Sequence, residues 1–286
     1  MYILSFDIED WFHIFHPAYE NQPDLWSGLP NRVENNTKWI LDFLGQQQLK
    51  ATFFCMGWVA EKYPRLIKSI HEAGHEIAAH SYLHNKVSKL NPESFYADTK
   101  RVVDTLENLT ANKISAYRAP GFSMNKSTLW AFEILHELGI ENDSSFKSGL
   151  HMEFSGRIPN EPFILKGNGF EIREFPTRTF NFFGSHIIYS GSGYFRIYPY
   201  PFVKKLFKAS AYEMAYFHPR DFDNGIHKYL DKHAFIKLKY RMGTNNSRFK
   251  LEKLVNAFDF VTMEKAVNQF DWKKAVVFDL LNGENK

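Results

Sequence analysis

The sequence predicts an α/β fold in which parallel strands alternate with helices. Over the first 140 residues, short apolar runs alternate with amphipathic segments, and the connections between them are short. Polar side chains, among them acids, imidazoles and an arginine, stand where the predicted strands give way to loops. Sites in parallel sheets and barrels form at the carboxyl ends of the strands. These observations together predict a functional site at one edge of the sheet.

The elements of the first half follow from periodicity and from the residues that end each segment. An apolar run that starts at residue 2 predicts the opening strand. A helix at 31–48 has Asn31 as its cap, and a helix at 60–73 stops at Gly74. The other elements of this half are, in chain order, a strand at 50–56, a strand at 76–79, a helix at 92–109, a strand at 114–117 and a helix at 126–138 that Gly139 ends.

The second half is less regular. Proline, glycine and aromatic residues dominate from residue 149 onward, and we expect an irregular, aromatic-rich insertion at about 149–212 that holds short strands such as 171–175. A strand at 214–217 that ends in His218 favours an insertion into one domain of residues 1–286 over a domain boundary near 149. After it the sequence predicts a helix at 248–257, a strand at 258–262 and a helix at 263–269.

The composition excludes several classes of protein. The 35 basic and 32 acidic residues are well mixed, so no basic patch of the kind that binds nucleic acid is expected. The single cysteine, Cys55, excludes an internal disulfide. No apolar run approaches the roughly 18 residues of a membrane span. Because the first strand begins at residue 2, there is no room for a signal peptide, and we expect a cytoplasmic protein, free or held peripherally at the inner membrane face.

Three acids follow the opening strand within four residues: Asp7, Glu9 and Asp10. Alternating residues of a strand share a face, so Asp7 and Glu9 should point the same way. Neighbouring carboxylates repel one another and lose hydration on burial, so this cluster requires a metal ion, an arginine or bulk water. The alternative is a solvated acidic turn after an edge strand.

Two histidines follow the predicted strand at 76–79. His80 and His84 are four residues apart, so one helical turn would place both imidazoles on one face, within reach of a single ion. Imidazole together with carboxylate is a common set of zinc ligands. The chain has 12 histidines, so the spacing alone also arises by chance.

Five short motifs of polar residues follow one another along the chain. They are Ser5-Phe-Asp7, His80-Ser-Tyr-Leu-His84, Arg118-Ala-Pro-Gly121, Asn142-Asp143-Ser-Ser and Tyr216-Phe-His218-Pro219. In this order they resemble the polysaccharide deacetylase family, carbohydrate esterase family 4, and the resemblance covers roughly residues 2–145 and 214–270. The segments 173–177, 191–196 and 198–200 are similar to a subgroup associated with extracellular and surface polysaccharide synthesis.

The resemblance implies both a fold and an activity. The fold would be a single distorted, incomplete (β/α) barrel that forms one catalytic domain. The activity would be hydrolysis of N-acetyl groups from an acetamido sugar, in a polysaccharide, an oligosaccharide or a lipid-linked precursor. It would depend on one divalent metal ion, for which Zn²⁺ is expected. Two alternatives stay open: an amidohydrolase that acts on a small non-sugar amide, and a glycan-binding relative without turnover.

The resemblance also implies roles for the acid, base and arginine. Asp7 would be the general base and His218 the general acid. Arg118 would hold Asp7 in its ionised form, and Asp143 would orient His218. A purely structural role is the alternative for three of them. Arg118 would also pair with the nearby acids, Asp143 would also serve as a turn or cap residue, and His218 would also be a satisfied residue at the end of a strand.

The metal ligands implied by the resemblance are His80, His84 and one carboxylate. The commoner family pattern has two adjacent aspartates, whereas Ile8 separates the acids of this chain. Strand alternation favours Glu9 as the ligand, and Asp10 stays possible if the backbone turns at once.

Substrate contacts are expected from aromatic and loop residues near these motifs. The candidates are Trp11, His13, Pro120 and Tyr194. Flat rings offer apolar faces to the C–H groups of a pyranose, and packing under a long loop is the competing explanation.

Overall fold

The computed structural model describes residues 1–13, 19–20, 22–149, 151–152, 156–228 and 241–280. No helix in these residues is both long and apolar enough to cross a membrane. The strands are β1 (Tyr2–Ile8), β2 (Thr52–Cys55), β3 (Glu76–Ala79), β4 (Ala116–Tyr117), β5 (Asn142–Asp143), β6 (His151–Met152), β7 (Gly156–Arg157), β8 (Phe163–Lys166), β9 (Glu171–Glu174), β10 (Thr179–Phe182), β11 (Ser185–Ile188), β12 (Glu213–Phe217), β13 (Phe260–Val261) and β14 (Val277–Asp279). The α-helices are α1 (Pro23–Trp26), α2 (Val33–Gln46), α3 (Gly57–Lys62), α4 (Pro64–Glu72), α5 (Pro92–Thr110), α6 (Trp130–Glu137), α7 (Ser192–Ile197), α8 (Tyr200–Lys208), α9 (Thr244–Val255) and α10 (Met263–Gln269).

The central sheet has the strand order β12-β1-β2-β3-β4-β5-β9-β8-β14, with β13 beside the start of β1. Neighbouring strands run parallel along this order except for β8 and β9, which are antiparallel. Because β12 and β14 stand at opposite ends of the order, the sheet stays open in the part of the chain that the structure describes. The α/β fold with an incomplete barrel is therefore confirmed.

Strand β1 pairs with β12 on one side and with β2 on the other, so residues at its carboxyl end lie between the ends of these two strands. Its side chains alternate: Leu4, Phe6 and Ile8 belong to the main hydrophobic core, whereas Ile3 packs in a second cluster with residues of the neighbouring strands. Asp7 shares the face of Ile3, since residues of one parity share a face. Burial of the strand thus delivers the carboxylate of Asp7 to the face of Ile3, at the carboxyl end of the sheet.

Two predicted helices are interrupted. The helix predicted at 60–73 is split into α3 and α4, because Pro64 occupies the first turn of α4 and has no N–H to continue the preceding helix. The helix predicted at 126–138 begins as a 3-10 turn, in which Asn125 accepts a hydrogen bond from the backbone N–H of Ser127, and becomes α-helical from Trp130. At these two points Pro64 and Asn125, rather than the spacing of apolar residues, determine where the α-helix begins.

The segment 149–212 contains more regular structure than the sequence predicts. Strand β9 pairs with β5 and β8, so part of this segment extends the central sheet. Strands β10 and β11 form a separate antiparallel hairpin, and α7 and α8 follow it. Strand β9 confirms the strand predicted at 171–175. Strands β8, β10 and β11 were not predicted, because four residues are too few for alternation to be recognised in an aromatic-rich sequence. The assignment of residues 1–286 to one domain stays a prediction.

Candidate active site

Residues that follow β1, β3, β4 and β12 meet at the carboxyl edge of the sheet. They line a cavity of about 280 Å³, close to the lower end of the range for small-molecule sites. The lining includes residues predicted from the sequence, which are Asp7, Glu9, His80, His84, Arg118, Tyr194 and His218.

Glu9, His80 and His84 form a buried cluster with the chemistry of a metal site. One ligand atom from each lies within 4.8 Å of the others. Nδ1 of His80 is 2.8 Å from the carbonyl oxygen of Arg118, and since a carbonyl only accepts, Nδ1 carries the proton and Nε2 keeps its lone pair.

The carboxylate of Glu9 supports the same interpretation. Its Oε2 lies 2.8 Å from Nε2 of His84. This oxygen is buried and has no aligned hydrogen-bond donor among the described residues. A buried carboxylate oxygen at this distance from an imidazole nitrogen, beside a second buried imidazole, suits a cation that all three side chains share. The residues present therefore fit a divalent ion.

A loop rather than a helical turn brings the two histidines together. His80 and His84 have ring centroids 5.2 Å apart, but Ser81 and His84 have φ values of +59°, which no α-helix contains. Asp98 of α5 accepts hydrogen bonds from two backbone N–H groups of this loop, at 2.8 and 3.3 Å. The spacing prediction was right about proximity and wrong about its cause, because the partly buried carboxylate of Asp98 replaces the helical hydrogen bonds.

Asp7 is paired with Arg118, as the resemblance implied. Oδ1 of Asp7 accepts from Nη1 of Arg118 at 2.6 Å, and the same nitrogen donates to the hydroxyl of Ser5 at 2.9 Å. Arg118 is 1% exposed. Burial by itself would raise the pKa of Asp7, but the charge and hydrogen bond of Arg118, with lesser contributions from His80 and His218, outweigh it and lower the pKa below its usual value. Asp7 is therefore held as a carboxylate.

Asp10 lies apart from the metal cluster. Its Oδ2 accepts from the backbone N–H groups of Arg32 and Val33, at 2.8 and 2.9 Å, and its Oδ1 accepts from Trp11. Val33 is the first residue of α2, so Asp10 ties the loop after β1 to the start of that helix. The structure places Glu9, rather than Asp10, beside the two histidines.

A matched pair of variants tests this placement. Glu9→Gln should weaken zinc binding by at least about tenfold, because it removes an anionic ligand. Asp10→Asn should leave zinc affinity unchanged but lower the free energy of unfolding by about 1–2 kcal/mol, because an amide has one acceptor oxygen for three N–H groups. Isothermal titration with zinc and urea unfolding measure the two effects. A folded Asp10→Asn variant that no longer binds zinc would contradict the placement.

His218 is oriented by a carboxylate that the sequence analysis did not select. Nδ1 of His218 is 3.1 Å from Oδ2 of Asp221, which also accepts from the backbone N–H of His218 at 2.8 Å. The other oxygen of Asp221 is 3.1 Å from Nε of Arg196. A carboxylate only accepts, so Nδ1 carries the proton and Nε2 faces the cavity, 3.8 Å from Asp7 and 3.1 Å from Glu9.

Asp143 does not have the position predicted for it. Its carboxylate accepts from the hydroxyl of Ser145 at 2.7 Å, and that hydroxyl accepts from the backbone N–H of Ala119. Asp143 is also in register with Glu174 on β9, and burial raises the pKa of both carboxyls. Motif order cannot tell which of two acids reaches the histidine. Here the nearer acid is Asp221, in the 3-10 turn after His218.

Two cations near the ligands were also missed. Nη1 of Arg220 is 2.5 Å from Oε1 of Glu9. Burial would raise the pKa of Glu9, but Arg220 and the adjacent histidines lower it well below its usual value. Lys147 lines the cavity, and burial lowers the pKa of its ammonium group. The sequence contained one signal for Arg220 and Asp221, because this charged pair directly follows the His218-Pro motif.

Of the four predicted substrate contacts, Tyr194 lines the cavity and is 45% exposed. Trp11 and His13 are buried in a 3-10 turn after β1. Nε1 of Trp11 donates to the carbonyl of Pro30, and Nδ1 of His13 accepts from the backbone N–H of Asp10.

These two residues are therefore core residues, because the chain turns inward after the strand. Pro120 is also buried and outside the cavity lining, whereas its neighbours Gly121 and Phe122 belong to that lining.

Comparisons with known proteins match both halves of the chain. Residues 23–142 match the family model described as polysaccharide deacetylase. Residues 148–268 match a model described as a domain of unknown function (DUF3473). The first match begins after the acids of β1, and the second includes His218 and Asp221.

Similar sequences and similar structures agree with these matches. A peptidoglycan-N-acetylglucosamine deacetylase from Bacillus cereus is 35% identical over 95 residues, which are 33% of this chain and 34% of that protein. A peptidoglycan deacetylase-like protein from Gibberella zeae is 30% identical over 106 residues, 37% of this chain and 30% of that protein. The chain thus spans about a third of the length of these curated relatives.

A solved structure of a candidate polysaccharide deacetylase from Mycobacterium smegmatis has a TM-score of 0.62 at 20% identity, and the match covers 96% of this chain and 91% of the other. An allantoinase structure has a TM-score of 0.56 at 13% identity, covering 91% and 85% of the two chains. At these identities the likeness establishes the fold alone.

Proposed function

Because the chain belongs to the polysaccharide deacetylase family, carbohydrate esterase family 4, we propose that it hydrolyses N-acetyl groups of an acetamido sugar in a metal-dependent reaction. The substrate that we propose is a surface or extracellular polysaccharide or its lipid-linked precursor, and the metal is Zn²⁺. One observation carries this proposal: a buried two-histidine, one-carboxylate cluster shares a cavity with an ionised Asp7 and an oriented His218.

Amide hydrolysis needs both a base and an acid, because amides are weak electrophiles and amines are poor leaving groups. Asp7 is suited to be the base: Arg118 keeps it ionised, while its Oδ2 faces the cavity and His218. It would take a proton from the attacking water. A divalent ion held by Glu9, His80 and His84 would supply Lewis acidity that activates water and polarises the amide carbonyl.

His218 is suited to be the acid. Its Nε2 faces the cavity, and Asp221 holds the proton of the ring on Nδ1 in the neutral form. Asp7 would pass the proton that it takes from water to Nε2, and the imidazolium would pass it on to the departing amine. Tyr194 and Phe122 provide rings at the cavity wall, where a pyranose would pack its C–H face.

A larger cavity exists at the other end of the sheet. It has a volume of about 670 Å³ and is lined by residues that precede β2 and β3, among them Lys50 and His75. Glu9, His80 and His84, the candidate metal ligands, do not line this larger cavity. Parallel sheets build their sites at the carboxyl ends of strands, so we assign the function to the smaller cavity.

The test is acetate release by the purified chain. A panel should contain N-acetylated oligosaccharides and, for the alternative activity, small cyclic amides. We expect acetate from the oligosaccharides, in proportion to the zinc content of the protein after chelation and reconstitution. Hydrolysis of the cyclic amides alone would replace the proposal with the amidohydrolase. Zinc-loaded protein that binds the oligosaccharides and releases no acetate would make it a glycan-binding protein.

A further inference from the structure

The segment 175–212 has an unusual charge pattern. It contains no aspartate or glutamate, although the whole chain has 32 acidic against 35 basic residues. It holds five basic and twelve aromatic residues. A segment that is both cationic and aromatic is typical of proteins that bind anionic interfaces.

The hairpin of β10 and β11 exposes part of this segment to solvent. Its tip carries Phe182, which is 54% exposed, and Phe183, which is 94% exposed. Phe183 has φ of +48° and precedes Gly184, a geometry that asparagine or glycine adopts at lower cost than a bulky residue. The turn itself therefore gives no reason for a phenylalanine at its most exposed position.

The exposed rings continue into a basic helix face. Phe182 contacts Phe180, with ring centroids 6.3 Å apart, and Phe180 contacts Phe202 of α8 at 5.4 Å. Lys205 and Lys208 follow Phe202 at helical spacing and are exposed with it. We call Phe182, Phe183, Phe202, Lys205 and Lys208 the aromatic-basic surface.

We propose that the aromatic-basic surface binds an anionic phospholipid bilayer. Exposed rings that project from a hairpin can enter the boundary between headgroups and acyl chains, and the lysines beside them match the negative surface potential. The absence of acids from residues 175–212 removes the repulsion that such a surface would otherwise meet. Charge complementarity thus favours a membrane over a neutral glycan or a second copy of this chain, whose matching surface is also basic.

The position of the hairpin would make such binding useful. Ile188, at the end of β11, lines the active-site cavity, and so does Tyr194. Ile188 lies five positions after Phe183, which corresponds to about 16 Å of extended strand. Membrane binding would hold the cavity near sugars that are attached to lipid. This purpose rests on the proposed function, whereas the binding itself does not.

Flotation with vesicles tests the inference on the full chain. We expect it to float with vesicles that contain phosphatidylglycerol and phosphatidylcholine, less so at high salt, and not with phosphatidylcholine alone. The double variants Phe182→Ser/Phe183→Ser and Lys205→Ser/Lys208→Ser should each lower the vesicle affinity by at least about tenfold. Phe249→Ser is the matched control, since Phe249 is 57% exposed on α9.

Several results would overturn the inference. The first is that the wild-type chain does not float with anionic vesicles. The second is that the surface variants bind the vesicles as well as wild type does. The third is that Phe249→Ser loses as much vesicle affinity as the surface variants lose. A surface variant that loses self-association in sedimentation velocity, and no vesicle binding, would instead assign the surface to a dimer. Acetate release from a soluble oligosaccharide, measured on the same variants, should be unchanged. Vesicle binding without acetate release would overturn the proposed function and leave this inference standing.

Discussion

Replacement of Asp7 by asparagine is expected to lower kcat for acetate release by about 10²- to 10⁴-fold, the usual contribution of a general acid or base. The amide has nearly the same shape as the carboxylate but cannot take a proton from water. Asp7 lies outside the cluster of Glu9 with the two histidines, so zinc affinity should stay close to that of wild type. Steady-state kinetics and zinc titration of the same preparation measure the two effects.

The fold of this variant needs its own measurement, because Arg118 would lose its buried partner charge. Its Nη2 still donates to the hydroxyl of Ser144 at 3.0 Å, and its Nη1 to Ser5. An unpaired buried charge is destabilising, so assays should run well below the midpoint of thermal unfolding. Asp10→Asn is the matched control, since it makes the same change three residues away but outside the cavity. Full activity in zinc-loaded Asp7→Asn would refute the assignment of the base.

Local patterns in the sequence are sufficient for most of the fold. Apolar runs and amphipathic segments predict strands and helices because burial of one face is a local requirement that each segment meets by itself. Strand alternation places Asp7 on the same face of β1 as Ile3 for the same reason. The break between α3 and α4 is also local, because Pro64 has no N–H with which to continue the preceding helix. The proline in the sequence is therefore sufficient to predict it.

The parts of the site that the sequence did not predict depend on how distant segments meet. Trp11 and His13 resemble sugar-stacking residues in sequence, but the turn after β1 directs them into the core. Asp98 of α5 holds the loop that carries His80 and His84, a partner that no pattern around His80 indicates. The residue types of a site are visible in a sequence, whereas the residues that orient them are set by tertiary packing.

Among the residues of the site that the sequence did not predict, Asp221 is the one whose replacement we expect to lower activity most. We expect Asp221→Asn to lower kcat for acetate release by about 10²-fold, as in other sites where a carboxylate orients a histidine. Asp221 is buried, and although burial raises the pKa of a carboxyl, His218 and Arg196 lower that of Asp221 to about 2. It is therefore an anion that accepts the Nδ1 proton of His218 and leaves Nε2 free to exchange protons. Asparagine can donate to Nδ1, which would move the ring proton to Nε2 in the neutral form.

A positioning role and a purely structural role predict different results. Loss of the tautomer protonated on Nδ1 should lower kcat with little change in KM. It should also move the ¹⁵N resonances of the His218 ring toward those of the tautomer protonated on Nε2. Loss of structure alone should lower the midpoint of unfolding and leave those resonances as in wild type. Asp143→Asn is the matched comparison, because motif order predicted Asp143 for this role, while the structure places it on Ser145. If Asp143→Asn shifts the His218 resonances and Asp221→Asn does not, the orienting carboxylate is the one that motif order predicted, and the contact with Asp221 has no catalytic consequence.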